Sequence, residues 1–319
     1  MIRVAQIPAF DQDPVISEVP DPVRAKGQIL VRMGAFALNF ADLLKAQGKY
    51  QERQDPPFVP GLEGAGTVIE TSEDCGLAIG TRVLVSTPGT AAQVISVDPG
   101  AVQTIPDSMS FEQAAGFQVA YGTSHLALAG RGDLRAGQTL IVLGAAGGVG
   151  LTAVEIGAAL GAHVIGVARG ADRLESVAAA GAHQVIDSAT CPDLRVALRE
   201  LGGADVVYDP VGDAPGKAAF GALRHGGRHL IIGFAGGKPP ALPLNHALVK
   251  NIAIHGFFWG GYRSLDPKAI RGSMQALFTL FEQGKLNPVM GKVLPLDRIA
   301  EGYGLLRDRK AVGKIIITL

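Results

Sequence analysis

The chain has 319 residues, of which 47% are hydrophobic and 18% are charged, and its formal net charge is zero. This composition predicts a globular protein of two domains and argues against a disordered or fibrous chain. The lack of a basic surplus or a basic run argues against nucleic acid and an anionic membrane as partners. No run approaches the ~18 apolar residues of a membrane span and the first residues lack a signal-peptide core, so we expect a cytoplasmic protein.

The first 121 residues predict a small β-barrel domain with one helix. Short β-rich runs are punctuated by Pro and Gly, and they cover Ile2–Ile7, Gln28–Phe36, Gly64–Glu70, Arg82–Ser86 and Gln93–Val97. The helix is predicted at Asn39–Gln47 and ends at Gly48. The proline-rich segment 55–61 predicts an irregular loop beside it.

The segment Thr139–Gly150, TLIVLGAAGGVG, predicts a buried strand followed by a tight glycine turn. Apolar residues then recur at helical spacing over Leu151–Leu160, until Gly161 provides a stop. We therefore expect a strand, a turn and a helix in immediate succession.

Such a turn can bind a pyrophosphate. Gly147 and Gly148 allow the anion to approach the backbone, and Gly150 allows the helix to pack closely on the strand. The helix amino terminus directs unpaired N–H groups and a positive dipole end at the anion. The spacing departs from G-x-G-x-x-G because Ala145 holds the first position, so a turn whose glycines serve packing alone is the alternative.

Over residues 122–255 strands alternate with helical runs. The predicted strands are Thr139–Leu143, His163–Val167, Gln184–Asp187, Asp205–Asp209, Arg228–Gly233 and Ile252–His255. Strands joined by helical crossovers form a doubly wound parallel sheet. Glycines stand where helices should end and strands begin, at Gly161, Gly181, Gly202–Gly203 and Gly226–Gly227.

The alternation stops after Gly256. An aromatic segment is followed by two predicted amphipathic helices, Lys268–Gln283 and Leu296–Leu306, and by a final strand at Gly313–Leu319. We expect this strand to return to the first domain, which makes 1–121 with 256–319 one domain and 122–255 the other. A small ligand is then expected in the cleft between them.

Several motifs, in order along the chain, carry a resemblance to a known family: NFAD at Asn39–Asp42, PGLEGAG at 60–66, YGTSH at 121–125, GAAGGVG at 144–150 and the closing Gly313–Lys314. The chain resembles the zinc-free quinone oxidoreductases of the medium-chain dehydrogenase/reductase superfamily, essentially from end to end. The resemblance implies an α/β protein with a GroES-like β-barrel catalytic domain and a Rossmann doubly wound parallel sheet. It also implies NADPH as cofactor and, commonly, a homodimer, whose pairing edge we expect at Ile252–Phe258.

The end of the second Rossmann strand favours NADPH over NADH. An acidic residue that would accept the ribose 2′-hydroxyl is absent there, and Arg169 and Arg173 follow instead. Either guanidinium could bind a 2′-phosphate. The alternative is two solvated surface arginines, with Asp172 partly cancelling their field. The resemblance agrees, because the family has a basic residue at the position of Arg173.

A zinc site is not expected. The zinc-dependent branch of the superfamily has a ligand Cys near Leu38 and a ligand His before the acidic residue at Glu63, where this chain has Leu62. Zinc needs three or four N, S or O ligands at one point. The chain has only two cysteines, Cys75 and Cys191, far apart in sequence.

The candidate catalytic residues come from the first domain. Asn39 and Asp42 share one face at the start of the predicted helix, although Asn39 is equally well explained as an N-cap. The resemblance implies that Asn39 lies near the nicotinamide or substrate and that Asp42 lies close behind it, as a cofactor-binding and not a catalytic residue. Tyr50 falls where the family has a substrate-pocket tyrosine, which could orient a carbonyl or relay a proton. Packing on Pro56–Pro57 is its alternative.

The resemblance and the predicted strand ends place the remaining cofactor contacts at Thr123, Val149, Ser188, Gly233, Phe234, Phe257, Phe258 and Lys314. Thr123 matches a position near the nicotinamide, with a plain helix-start hydroxyl as alternative. Ser188 matches a position on the adenosine phosphate side. Lys314 matches a family lysine that reaches the cofactor. The alternative is that Lys314 only protects the edge of a strand from pairing with another chain. Phe257 and Phe258 would wall the pocket or a subunit interface, or only fill the core.

Without a metal or a nucleophile–base pair, hydride transfer to an already electrophilic carbon is the best-fitting chemistry. We expect an NADPH-dependent reductase of a quinone or similar activated carbonyl, acting on a small electrophilic substrate. One alternative is reduction of an enone or an enoyl or acrylyl thioester, for which Lys45, Lys49 and Arg53 could bind carrier phosphates. Another is a non-catalytic NADPH-binding structural or RNA-binding protein, and the zero net charge weighs against RNA.

Overall fold

The computed structural model describes residues 1–72 and 75–319. Contacts divide the chain into two compact units, one of Met1–Val119 with Pro288–Leu319 and the other of Ala120–Asn287. The chain thus leaves the first unit and later returns to it. The second unit extends beyond the predicted segment 122–255, because residues 256–287 belong to it.

The first unit is built on a mainly antiparallel sheet. Its elements up to residue 115 are β1 (Ile2–Gln6), β2 (Val15–Val19), β3 (Ile29–Leu38), α1 (Phe40–Ala46), β4 (Gly64–Glu70), β5 (Arg82–Val85), β6 (Val94–Val97), β7 (Val102–Thr104) and α2 (Phe111–Ala115). β3 is central and pairs with both β4 and β6. Its alternating apolar residues Val31 and Met33 are buried in the core of this unit.

The second unit contains a parallel sheet flanked by helices. Its elements are α3 (Gln118–His125), β8 (Thr139–Leu143), α4 (Gly148–Ala159), β9 (His163–Ala168), α5 (Ala171–Ala179), β10 (Gln184–Asp187), α6 (Leu194–Glu200), β11 (Ala204–Asp209), α7 (Asp213–Gly221), β12 (Leu223–Ile231), α8 (Leu244–Lys250), β13 (Ala253–Gly256), α9 (Tyr262–Leu265) and α10 (Pro267–Glu282). The strand order β10-β9-β8-β11-β12-β13 is that of a Rossmann fold. The predicted doubly wound sheet is confirmed.

One predicted boundary in this sheet is wrong. Gly226–Gly227 lie inside β12 and do not mark the passage from helix to strand. Gly226 has a φ of 72°, and the pairing of β12 with β11 shifts register across this stretch. A glycine at positive φ is as typical of an irregular strand as of a helix end, so the sequence alone did not separate the two.

The chain closes in the first unit. β14 (Met290–Pro295) and α11 (Ile299–Arg307) lead to β15 (Lys314–Thr318), which pairs antiparallel with β3 and parallel with β14. The predicted return of the last strand is confirmed. β15 therefore lies inside the sheet, and Ile315, Ile316 and Ile317 are fully buried.

Local contacts explain why residues 256–287 belong to the second unit. Trp259 packs on Gly122, where an added Cβ would lie 2.7 Å from the indole nitrogen. Ser273 of α10 shares a 2.9 Å hydrogen bond with His125. These contacts fasten the aromatic segment and α10 to the start of the second unit.

Glu155 of α4 joins the two ends of this unit. Its carboxylate accepts hydrogen bonds from the Tyr121 hydroxyl and, at 2.9 Å, from the Asn287 N–H. Burial raises the pKa of Glu155 from 4.5 to about 7, against a smaller lowering by these two bonds.

We expect the free energy of unfolding to depend on pH through Glu155. Because its pKa is higher in the folded chain, the folded state binds more protons between pH ~4.5 and ~7, and stability falls as the pH rises through that range. Glu155→Gln keeps both hydrogen-bonding positions without the charge. It should be more stable than the wild type by about 3 kcal/mol at about pH 8 and equal to it at about pH 4.

Urea unfolding at the two pH values measures this difference, with the exposed Glu175→Gln as control. Equal stabilities of Glu155→Gln and wild type at the higher pH would contradict the expectation.

Candidate active site

A buried ion pair joins the last strand of the first unit to the loop before β4. Lys314 Nζ lies 2.8 Å from Glu63 Oε1 and donates to Asn39 Oδ1 at 2.6 Å and to the Leu38 carbonyl at 3.3 Å. The other oxygen of Glu63 accepts the Val119 N–H at 2.8 Å. Glu63 is 1% exposed and Lys314 7%, so each charge is compensated inside the protein. Because β15 is not a sheet edge, Lys314 is not an edge-protecting residue.

Asn39 stands at the centre of this cluster. Its amide oxygen accepts from Lys314, and its amide nitrogen donates to Glu63 Oε1 at 3.0 Å. At the start of α1 the Asp42 carboxylate instead accepts the Asn39 N–H at 2.8 Å and the Gly61 N–H at 3.1 Å. Asn39 is thus the N-cap residue of α1, as the alternative predicted, and its side chain in addition binds Lys314 and Glu63.

Asp42 is a buried acid behind Asn39. Burial raises its pKa from 3.8 to about 6, and the bond from the Asn39 N–H and the charge of Lys314 oppose this rise. Both carboxylate oxygens accept backbone N–H groups, so Asp42 fixes the loop at Gly61 relative to α1.

Tyr50 follows α1 and is half-buried. The ammonium group of Lys45 lies 5.6 Å from the centroid of its ring, as in a cation–π contact. Lys45 is buried and lies 3.7 Å from Glu52, so its charge is engaged on two sides. Lys45 is thus less available to carrier phosphates than its sequence position suggested.

The glycine turn of the second unit has the geometry of a phosphate site. Gly147 is the N-cap of α4, which begins at Gly148. A Cβ added at Gly150 would collide with the Gly144 carbonyl oxygen, and Gly144 itself has a φ of 57°. These glycines bring the strand β8 and the first turn of α4 together at the helix amino terminus.

A buried hydroxyl network that the sequence analysis missed lies under this turn. Ser124 Oγ donates to the Val149 carbonyl at 3.0 Å, and is 2.7 Å from Thr152 Oγ1 and 2.9 Å from the Tyr208 hydroxyl. The network fastens the first turn of α4 to α3 and β11. In the sequence, the only sign of this network is that Ser124, Thr152 and Tyr208 are hydroxyl residues within apolar runs.

The two predicted arginines lie at the carboxyl end of β9. Arg169 is exposed, and Arg173 is half-buried in the first turn of α5. Between them Gly170 has a φ of 89°, and its N–H donates to Asp187 Oδ1 at 3.0 Å. Sequence reasoning missed this carboxylate, because it belongs to the neighbouring strand β10.

The other predicted cofactor contacts in the second unit differ in exposure. Thr123 and Phe257 are buried, and Phe257 packs on Tyr262, while Phe234 and Phe258 are 43% and 42% exposed. Gly233 follows β12, where its N–H lies 3.3 Å from the Asp209 carbonyl. Ser188 uses its hydroxyl locally and donates to the Ala168 carbonyl at 3.1 Å.

Within residues 1–72 and 75–319, no three or more His, Cys, Asp or Glu side chains are grouped so that they could hold a metal ion. Across the same described residues, no helix combines the length and the apolarity that crossing a membrane requires.

Comparisons with known proteins identify the family. A model described as an alcohol dehydrogenase GroES-like domain matches residues 25–122, and one described as a zinc-binding dehydrogenase matches residues 148–278. The quinone oxidoreductase-like protein 2 homolog of Nematostella vectensis is 36% identical over 298 residues, which cover 91% of this chain and 81% of that protein. The chain belongs to the quinone oxidoreductase-type family of the medium-chain dehydrogenase/reductase superfamily.

Further relatives agree with this family. The quinone oxidoreductase-like protein 2 of Bos taurus is 32% identical over 312 residues, covering 96% of this chain and 89% of that protein. The quinone oxidoreductase of Thermus thermophilus, solved alone and with NADPH, superposes with a TM-score of 0.86 at 28% identity, covering 99% of this chain and 100% of that one. The predicted fold class is confirmed, and the family makes the chain an oxidoreductase of this type.

We expect the Lys314–Glu63 pair to be essential for stability. Lys314→Met would leave the Glu63 carboxylate buried without its cation and lower the free energy of unfolding by about 3–5 kcal/mol. Lys310→Met, which removes an exposed pair with Asp308, should change it by less than about 0.5 kcal/mol.

Urea unfolding monitored by circular dichroism compares these variants. The double variant Lys314→Met/Glu63→Gln, which removes both charges, should recover much of the lost stability. A loss below about 1 kcal/mol for Lys314→Met alone would show that the pair is not a required contact.

Proposed function

We propose that the protein is a zinc-independent, NADPH-dependent oxidoreductase that delivers hydride to a quinone or a similar activated carbonyl acceptor. The observation that carries this proposal is the cluster of Asn39, Glu63 and Lys314, in which the charges compensate one another and a neutral amide stands at the half-buried end. Such a cluster can orient an acceptor that already carries its own electrophilic carbonyl.

The second unit supports NADPH as the cofactor. A side chain at Gly150 would collide with the Gly144 carbonyl oxygen, so this glycine lets α4 begin close against β8. This packing supports the proposal that a pyrophosphate binds at the amino terminus of α4, beside Gly147 and Gly148. Arg169 and Arg173 at the end of β9 would hold the 2′-phosphate with charge-assisted hydrogen bonds. The solved Thermus thermophilus relative is a complex with NADPH, which supports the same assignment. When bound, NADPH supplies the hydride.

Zinc independence is supported by the residues around the cluster. One matching family model is named for zinc-binding members, yet this chain has no Cys near Leu38, where the zinc-dependent branch has one ligand, and it has Leu62 where that branch has a ligand His. Neither apolar side chain can coordinate a metal. Glu63 is already bound by Lys314, Asn39 and the Val119 N–H.

Two side chains of the first unit would act on the acceptor. The Asn39 amide nitrogen carries two protons and donates one to Glu63; we assign the other to the acceptor's carbonyl oxygen. Tyr50, with the Lys45 cation beside its ring, would orient the acceptor or pass on a proton from water. Asp42, buried behind Asn39, holds the backbone in place.

We also propose a homodimer. Three apolar side chains of α8, Leu244, Leu248 and Val249, are 66%, 79% and 66% exposed, and α8 is followed by β13 at the edge of the parallel sheet. An exposed apolar surface beside an unpaired strand edge fits a second copy of the chain related by a two-fold axis. Light scattering that detects only monomer would contradict this.

The rate of NADPH oxidation with four acceptors tests the proposed activity. We expect an ortho-quinone to be reduced faster than a crotonyl thioester, an acryloyl thioester and a simple enone. Asn39→Ala should lower kcat/KM for the quinone by about 100-fold, because the hydrogen bond to the acceptor's carbonyl oxygen is lost. The exposed amide of Gln275 on α10 provides the control, and Gln275→Ala should leave kcat/KM unchanged.

Preference for a thioester or an enone would replace the proposal by reduction of carbon–carbon double bonds. Binding of NADPH without turnover of any acceptor would favour the non-catalytic alternative.

A further inference from the structure

The segment that carries the two arginines is a sharp turn. β9 ends at Ala168, Gly170 is the N-cap of α5 at a φ of 89°, and the N–H groups of Arg173 and Leu174 both lie 3.2 Å from the Gly170 carbonyl. Residues that carry a side chain rarely adopt such a φ. The space beside Gly170 is open, since no neighbouring atom lies within 4 Å of the position that a Cβ would take. Glycine is therefore required here by its φ and not by crowding, and hydrogen bonds to the backbone of the turn stabilise this conformation.

The hydrogen bonds come from Asp187, at the end of the adjacent strand. β10 pairs parallel with β9, and Asp187 lies opposite Ala168 in the register. Asp187 Oδ1 accepts the Gly170 N–H at 3.0 Å and the Ala189 N–H at 2.8 Å. One carboxylate oxygen thus joins the loops at the carboxyl ends of two neighbouring strands, which is where a Rossmann fold binds the adenosine ribose.

We propose that Asp187 is a positioning residue that determines the preference for NADPH over NADH, by holding the turn at Gly170 so that Arg169 and Arg173 can bind the 2′-phosphate. This inference rests on the proposed function and deepens it. Asp187 acts here through backbone hydrogen bonds and not as the acid that accepts a ribose hydroxyl in NAD-dependent proteins.

The charge of Asp187 opposes this role. The two backbone N–H groups lower the pKa of its carboxyl group, so that it is ionised at neutral pH. A negative charge beside Gly170 repels a phosphate, while the hydrogen bonds favour the turn that binds it. Two substitutions separate the effects, because Asn keeps an accepting oxygen without the charge and Ala removes both.

The experiment measures dissociation constants of NADPH and NADH by isothermal titration calorimetry on the intact chain. Asp187→Ala should reduce the preference, the NADH constant divided by the NADPH constant, by about fivefold or more. Asp187→Asn should keep the preference within about twofold of the wild type or raise it.

Asp193→Ala is the matched control. Asp193 Oδ1 accepts the Val196 N–H at 3.0 Å at the start of α6, so this variant also removes an aspartate that binds backbone on the surface of the same unit. Its preference should equal that of the wild type. A ratio of two constants is insensitive to the fraction of folded protein, so general destabilisation does not imitate the expected result.

Two results would overturn the proposal. Equal weakening of both cofactors in Asp187→Ala would assign Asp187 a general structural role. An equal loss of preference in Asp187→Asn and Asp187→Ala would show that an accepting oxygen at this position does not maintain the preference, which contradicts the role assigned to the hydrogen bonds of the turn. If the wild type itself shows no preference for NADPH, the cofactor assignment fails first, and that outcome is visible before any variant is made.

Discussion

The first unit depends on one buried ion pair, in which the charge of a carboxylate is compensated by a lysine. Glu63 is almost fully buried, and its compensating cation, Lys314, is 251 positions away in the sequence. The ammonium group reaches Glu63 only when β15 has returned to pair with β3. The cluster of Asn39, Glu63 and Lys314 is therefore complete only with the last strand in place, since the Asn39 amide is held by the same two charged groups.

In the second unit the corresponding constraint is close backbone approach. Gly150 lets α4 start against β8, and a hydroxyl network centred on Ser124 holds that start from below. The side chains of this turn are apolar or absent, so in our proposal its backbone N–H groups would bind the phosphates of NADPH and NADH alike. A preference for NADPH over NADH would then have to come from the ends of the neighbouring strands, where Arg169, Arg173 and Asp187 are found.

The sequence predicted features that depend on local pattern and missed those that depend on contact across the fold. The strand, turn and helix around Gly147 follow from apolar periodicity and glycine placement, and the return of the last strand from its apolar character. The partners of Glu63 and the reach of Asp187 to Gly170 join residues on different strands, and no local pattern encodes such pairs. The predicted helix end at Gly226 was wrong for a related reason, because a glycine with positive φ occurs in irregular strands as well as at helix ends.

The proposed function requires direct transfer of hydride from NADPH to an activated acceptor. Its most direct test is a single-turnover stopped-flow measurement of the protein loaded with NADPH, or with NADPH deuterated at the transferring position of the nicotinamide, and mixed with an ortho-quinone. The protein should oxidise one NADPH for each quinone reduced, and more slowly with the deuterated cofactor. Identical decay of the nicotinamide absorbance with both cofactors, or no decay, would contradict the claim.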